Sequence, residues 1–292
     1  MTRTGLLIAR HRREVIIEAD DGTTFSGLER GRKMKALTGD EVLWNIESDG
    51  TAVIRKILPR RTVLERIDSR GHAEGVAANV SLLAVVVAAS PAPDWQLIDR
   101  YLVAAALMGI EAALIRNKAD LADPELDRRA EVYRKIGYPV LTTSAKTGKG
   151  IPALQQTLSG QRSVLVGQSG VGKSSLLNAL LATEAQAVGE LSQRRALGRH
   201  TTTAAVLHRL PGGGELIDSP GVRRYAPNIP ELADLAYGFI EFRPWLNQCR
   251  FNDCRHLTEP DCAVLAALAR GEIDASRYQS YTNLRSAMQA LR

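Results

Sequence analysis

Residues 5–57 alternate apolar and polar positions in short runs. GLLIA (5–9), EVIIEADDGTTF (14–25), the stretch 40–46 and TAVIRKI (51–57) each carry the period of a half-buried strand. Asp21-Gly22 and Asp49-Gly50 fall where turns are needed. The pattern predicts about five strands rolled into a small β-barrel of OB type, with residues 27–35 as a basic loop between strands. Residues 59–61 then read as a linker.

From Val80 onward the period changes. SLLAVVVAAS, EAALIRN and PVLTTS read as buried strands, separated by helical patterns from about Asp94 to Met108, from Pro124 and after Ile151. Such alternation predicts a parallel sheet with helices on both faces. It continues through RSVLVG, a helix from Lys173, a hairpin of AAVLHRL and GELID around Gly212, and a helical stretch after Pro230. The tail, 263–292, is mostly helical with an interruption near Gly271. The expected boundaries are a barrel over 1–61, an α/β domain over 62–240 and a helical domain over 241–292.

A chain of 292 residues exceeds what one core serves, in keeping with that division. The longest apolar run, residues 82–89, is strand-sized and too short to span a bilayer, and the N-terminal MTRTGLLIARHRRE lacks the pattern of a signal peptide. A cytoplasmic protein with no membrane partner is expected. The net charge of +6 favours a polyanion, and its excess lies at the ends: twelve Lys and Arg against nine Asp and Glu over 1–61, seven against five over 243–292. Nucleic acid is the natural candidate. The three cysteines all lie between Cys249 and Cys262, which speaks for a metal site rather than a disulfide framework.

Chemistry concentrates in four short segments. Gly167, Gln168, Ser169, Gly170, Val171, Gly172, Lys173 and Ser174 spell GxxxxGK[ST] between a strand and a helix that continues with Ser175. The amides of such a loop and the helix N-terminus bind phosphate oxygens, Lys173 reaches the terminal phosphates, and the Ser174 hydroxyl ligates Mg²⁺. Asp218 and Gly221 of DSPG end the strand GELI, where P-loop GTPases place a Mg²⁺-shell carboxylate and a γ-phosphate-sensing amide. Asn117, Lys118, Ala119 and Asp120 form NKAD after a strand. A carboxylate at Asp120 accepts from guanine N1 and the exocyclic amine, which adenine does not offer. Ser144, Ala145 and Lys146 follow another strand and present amides to the guanine carbonyl. The expected ligands are therefore GTP and GDP.

The order is unusual: the base-selecting loops precede the phosphate loop. All of them leave the C-terminal edge of one sheet, so the site depends on strand position rather than chain order. The sequence thus predicts a circularly permuted P-loop GTPase domain. Cys249, Cys254, His256 and Cys262, separated by four, one and five residues, suit a closed tetrahedral Cys₃His zinc site of structural type, one Zn²⁺ per chain. Behind it Arg270, Arg277, Tyr278, Tyr281 and Arg285 offer contacts to RNA by phosphate pairing and stacking, with core packing the equal alternative for the tyrosines.

Together with residues 97–105 (LIDRYLVAA) and 198–203 (GRHTTT), these motifs resemble the ribosome small subunit-dependent GTPase A family over almost the whole chain. The resemblance implies a GTPase acting in late maturation of the small ribosomal subunit, with rRNA as partner and hydrolysis stimulated by the particle. It also implies that GRHTTT is the first switch segment, in which one of Thr201, Thr202 and Thr203 closes on Mg²⁺ and His200 is the candidate to assist the attacking water alongside Lys173. Val222 stands where many GTPases place a water-orienting Gln, so slow intrinsic hydrolysis is expected. A monomer is expected. Two other readings remain open at this stage: a P-loop ATPase or kinase, which NKAD opposes, and an RNA-binding protein that uses guanine nucleotide as a structural ligand.

Overall fold

The computed structural model describes residues 2–11, 14–29, 34–67, 72–185, 205–218, 232 and 234–290. At the N-terminus β1 (Arg3–His11), β2 (Glu14–Ala19), β3 (Thr24–Leu28), β4 (Glu41–Ile46) and β5 (Ala52–Ile57) pair in the order β1-β2-β3-β5-β4, and β4 returns to β1. The five-stranded barrel is thus closed. Its alternating inward positions, among them Leu7, Val15, Ile17, Val42, Trp44 and Ile54, fill the lumen.

The segment read as a linker is pinned on both sides. Arg60 forks onto the fully buried Asp40 carboxylate (2.7 and 2.8 Å), and the Arg61 amide donates to Asn79 Oδ1 (2.8 Å). Asn79 in turn donates to the Gly39 carbonyl (2.9 Å). A hairpin absent from the sequence expectation follows, β6 (Val63–Ile67) with β7 (Ala73–Ala78).

The second sheet runs β10 (Val140–Thr142), β9 (Glu111–Asn117), β8 (Leu82–Ala88), β11 (Arg162–Val166), β13 (Glu215–Asp218), β12 (Ala205–Arg209). All neighbours are parallel except β12 with β13. Every residue of the central β8 is buried, as a strand covered on both faces requires. One face carries α1 (Trp95–Met108) and α2 (Pro124–Ile136), the other α3 (Ile151–Leu158) and α4 (Lys173–Ala185). Asp94 and Asp123 cap α1 and α2 through the amides of Leu97 and Leu126 (both 3.0 Å). The barrel is continuous with this sheet: β1 pairs antiparallel with β12, Ala9 opposite Val206, and Thr38 Oγ1 donates to the Ala205 carbonyl (3.1 Å).

The C-terminal module consists of α5 (Leu235–Gly238), 3₁₀ turns at Ile240–Phe242 and Leu246–Gln248, α6 (Ala263–Ala269) and α7 (Ala275–Ala290). Its core of Leu235, Phe239, Phe242, Val264, Ile273, Tyr281 and Leu284 includes Val103 from α1, so the module shares apolar packing with the α/β domain. The fully buried Arg277 of α7 pairs with Asp99 of α1 and with Glu241 (Nε to Oε1, 2.6 Å), and it stacks over the Phe239 ring at 4.7 Å. Tyr133 of α2 donates to the same Asp99 (2.6 Å). Of the residues weighed as RNA contacts, Arg277, Tyr281 and Arg285 are therefore interior, and Tyr278 donates to the His256 carbonyl (2.8 Å). Arg270 alone of that set is exposed, bonded to Glu272 and stacked on Trp245. Among the described residues no helix is long and apolar enough to cross a membrane.

Candidate functional site

The turn from β11 into α4 is shaped by glycine. Gly167, Gly170 and Gly172 adopt φ of 137°, 85° and 97°. A Cβ on Gly167 would meet the Val86 carbonyl at 2.3 Å, and one on Gly172 would meet Asn117 Nδ2 at 2.4 Å, so side chains are excluded by both space and backbone. Val171 is buried in the apolar layer, which anchors the turn from below, while Ser169, Gly170, Ser174 and Ser175 face solvent. Lys173 opens α4 and its ammonium donates to the Gly167 and Gln168 carbonyls (2.7 and 2.6 Å), which holds it over the loop. Lys173, Ser174 and Asp218 line one small crevice. The hydroxyl and carboxylate expected of a Mg²⁺ shell are thus brought to one place from the start of α4 and the end of β13, and oxygen donors of this kind suit that ion.

Asn117 is the knot that joins the loops. Buried at the end of β9, it donates from Nδ2 to the Val171 carbonyl (2.9 Å) and accepts at Oδ1 from the Ala145 amide and the Thr143 hydroxyl (both 3.3 Å). The phosphate loop, NKAD and the Ser144 loop therefore move as one piece. Lys118 takes a left-handed φ of 57° and donates to the Ser90 carbonyl (2.7 Å), while the Ala119 amide donates to the Thr143 carbonyl (3.0 Å). Asp120 is exposed at the rim. It accepts at Oδ1 from the buried Ser144 hydroxyl (2.7 Å), and that bond, helped by Lys146 and Lys118, holds its carboxyl below the usual carboxylate range. Thr143 and the carbonyl of Ser90 take part in this arrangement although no motif singles them out; their position at strand ends beside the motifs is the only sequence signal. Gly221, His200, Thr201, Thr202 and Thr203 lie outside the described residues.

In the C-terminal module the four ligand atoms of Cys249, Cys254, His256 and Cys262 lie within 4.8 Å of one another. Cys249 Sγ is 3.9 Å from Cys262 Sγ, and His256 Nδ1 is 3.5 Å from both sulfurs. Tetrahedral coordination with Zn–S near 2.3 Å and Zn–N near 2.05 Å gives ligand separations of about 3.8 and 3.6 Å, so the set fits such an ion. Burial pushes the Cys254 thiol up to about 12, raises Cys262 and depresses His256. Thiolates gathered so closely are stable around a divalent cation, and metal binding is what deprotonates them. Glu259 fastens the surrounding turn by accepting from the amides of Arg255, Leu257 and Thr258.

The GxxxxGK[ST] loop, NKAD, the Ser144 loop and Asp218, all on the C-terminal edge of a sheet in which β8 and β9 precede the strand that carries the phosphate loop, mark a circularly permuted P-loop GTPase, a hydrolase acting on GTP. The family model for the RsgA GTPase matches residues 57–227. The chain is 47% identical over 294 residues, 98% of this chain and 86% of the relative, to the small ribosomal subunit biogenesis GTPase RsgA of Pseudomonas fluorescens Pf-5, and 46% identical, with the same coverage, to that of Azotobacter vinelandii. The crystal structure of YjeQ from Thermotoga maritima superposes with a TM-score of 0.80 at 34% identity over the full length of both chains. YloQ, a circularly permuted GTPase, gives 0.77 at 27% identity over all of this chain and 96% of its own. This chain belongs to the RsgA GTPase family.

Proposed function

We propose that this GTPase binds the small ribosomal subunit through its rRNA and acts, as a cytoplasmic monomer, late in the maturation of that particle, which stimulates its hydrolysis of GTP. The support for the partner is that relatives aligned over 98% of the chain are small ribosomal subunit biogenesis GTPases. The support for the nucleotide is the Asp120–Ser144 pair, joined through Asn117 to the phosphate loop.

In this reading Asp120 takes guanine N1–H and the exocyclic amine, with Asn117, Lys118, Ala119, Ser144, Ala145 and Lys146 forming the base site. Residues 167–175 receive the phosphates through their amides, and Lys173 neutralises charge that builds on the leaving phosphate oxygens. Bound Mg²⁺ supplies Lewis-acid stabilisation of the phosphates, with Ser174 and Asp218 to hold it. Gly221 reads the γ-phosphate, and His200 orients the water in place of the Gln that Val222 lacks. The Cys₃His set holds one structural Zn²⁺ that ties the turn of the C-terminal module to α6 and α7. The domain limits proposed are 1–61, 62–240 and 241–292.

The deciding experiment is GTP turnover with and without purified small subunits. A slow basal rate raised at least tenfold by small subunits, and left unchanged by large ones, is the expected result. Equal rates with and without particles would leave a guanine-nucleotide-dependent RNA-binding protein instead.

A further inference from the structure

The phosphate loop has a brace that its motif does not call for. GxxxxGK[ST] leaves its second position free, yet here that position holds Gln168, whose side chain is fully engaged with the segment leaving β8. Gln168 Nε2 donates to the Ala92 carbonyl (3.2 Å), and Oε1 accepts from the Asp94 backbone amide (2.9 Å). Only one orientation of the amide satisfies both partners. Asp94 works in two directions, because its carboxylate caps α1 while its amide is delivered to Gln168.

Two further contacts press the same segment against the site. The Pro91 ring stands against Gly170, where an added Cβ would come within 3.4 Å of Cδ. Lys118 of NKAD donates to the Ser90 carbonyl (2.7 Å). Residues 90–94 thus span from the base-recognition loop to the phosphate loop.

A turn with three glycines at positive φ has a large backbone entropy to lose when it wraps a phosphate. Fixing it beforehand converts that loss into affinity. We propose that Gln168 is a positioning residue for phosphate recognition: it splints residues 167–172 to the N-terminus of α1 and pre-forms the cradle for the β-phosphate. The inference rests on the reading of this loop as the phosphate site. It assigns the splint to the β-phosphate because Gln168 is itself part of the phosphate loop, and its two side-chain hydrogen bonds go to Ala92 and Asp94 rather than to NKAD or the Ser144 loop.

The test is equilibrium binding of GMP, GDP and GTP to the full chain, wild type against Gln168→Met, which keeps length and removes both hydrogen bonds. Lys173→Ala serves as the control for the phosphate site. Loss of two ordinary hydrogen bonds corresponds to about a tenfold effect. GDP and GTP should weaken by about that factor in Gln168→Met while GMP stays within twofold, so that the gain from GMP to GDP shrinks. A general loosening of the protein would weaken all three nucleotides alike, and that result overturns the proposal. Undiminished GDP and GTP binding in Gln168→Met, with Lys173→Ala still weakened, overturns it as well. If neither variant loses GDP affinity, the loop is not the phosphate site and the proposal falls with that reading.

Discussion

Replacing Arg277 by Met tests what holds the C-terminal module on the α/β domain. In the native protein burial opposes the guanidinium charge, but Asp99 and Glu241 more than offset this and hold it firmly protonated. The Arg277 and Asp99 side chains have no exposed surface, and Glu241 keeps only 7%. Methionine fills comparable space but leaves two carboxylates facing each other among Phe239 and Tyr133. Removing one partner of a buried pair costs about 3–5 kcal/mol, and the lost stacking of the cation on Phe239 adds about 1 kcal/mol. Against a total of about 5–15 kcal/mol for a folded domain, that is enough to loosen the module at ambient temperature. At about 2–4 °C per kcal/mol the thermal midpoint should fall by roughly 8–24 °C. Thermal and urea unfolding, followed by tryptophan fluorescence with Trp245 in the module and Trp95 at the start of α1, measure the loss. Basal GTP turnover of the still-folded protein should change little, since Arg277 contacts no residue of the nucleotide site. Adding Asp99→Asn should recover part of the loss, because the amide carries no charge and still accepts from Tyr133, which leaves Glu241 as the one carboxylate without its partner. A loss below about 1 kcal/mol, or a double variant no better than Arg277→Met alone, would refute the argument.

Three other outcomes are expected. Asp120→Asn should weaken GTP binding and improve that of xanthosine nucleotides, since an amide donates to the xanthine oxygen where the carboxylate met the guanine amine; competition binding with both families of nucleotide reads this directly. In Ser144→Ala the Asp120 carboxyl loses the donor that depresses it, so its pKa rises and the low-pH limb of GDP binding should shift upward; an unmoved limb would separate Ser144 from base recognition. Cys249→Ser or Cys262→Ser should abolish tight binding of one zinc per chain and unfold the module; elemental analysis that finds no metal in folded wild type would contradict the site.

What the sequence makes legible is local. Alternation and the two Asp-Gly turns place β1, β2, β4 and β5 within a residue or two, whereas β3 runs on to Leu28 through two positions read as basic loop; the motifs put Asn117 at a strand end, Asp120 and Ser144 just beyond strand ends and Lys173 at a helix start. The pairing of β1 with β12 is not legible, because nothing in either strand names a partner almost two hundred positions away. The β6–β7 hairpin lacks a tight-turn dipeptide. Arg277 and Arg285 sit in a polar helix whose arginines read as solvent-facing, and only the fold reveals Asp99 waiting on a distant helix. Gln168 occupies a position that the motif leaves free, so its brace is visible only once residues 90–94 are set beside the loop.

Permutation also fixes the order in which the ribosome delivers this protein's own parts. The central strand β8 emerges with β9, α1 and α2, whereas β11, which covers its other edge, follows only after all of these. Asp99 likewise leaves the exit tunnel early and must stay hydrated until Arg277, 178 residues later, can bury it. During translation the half-made sheet is therefore an open platform with an apolar edge and an unmatched carboxylate, a natural client for a chaperone. A chain truncated before α7 keeps that carboxylate unmatched for good. Helix α7 closes a contact that α1 has held open, so a nascent chain that has reached α7 differs from a shorter one in how firmly α1 is locked in place.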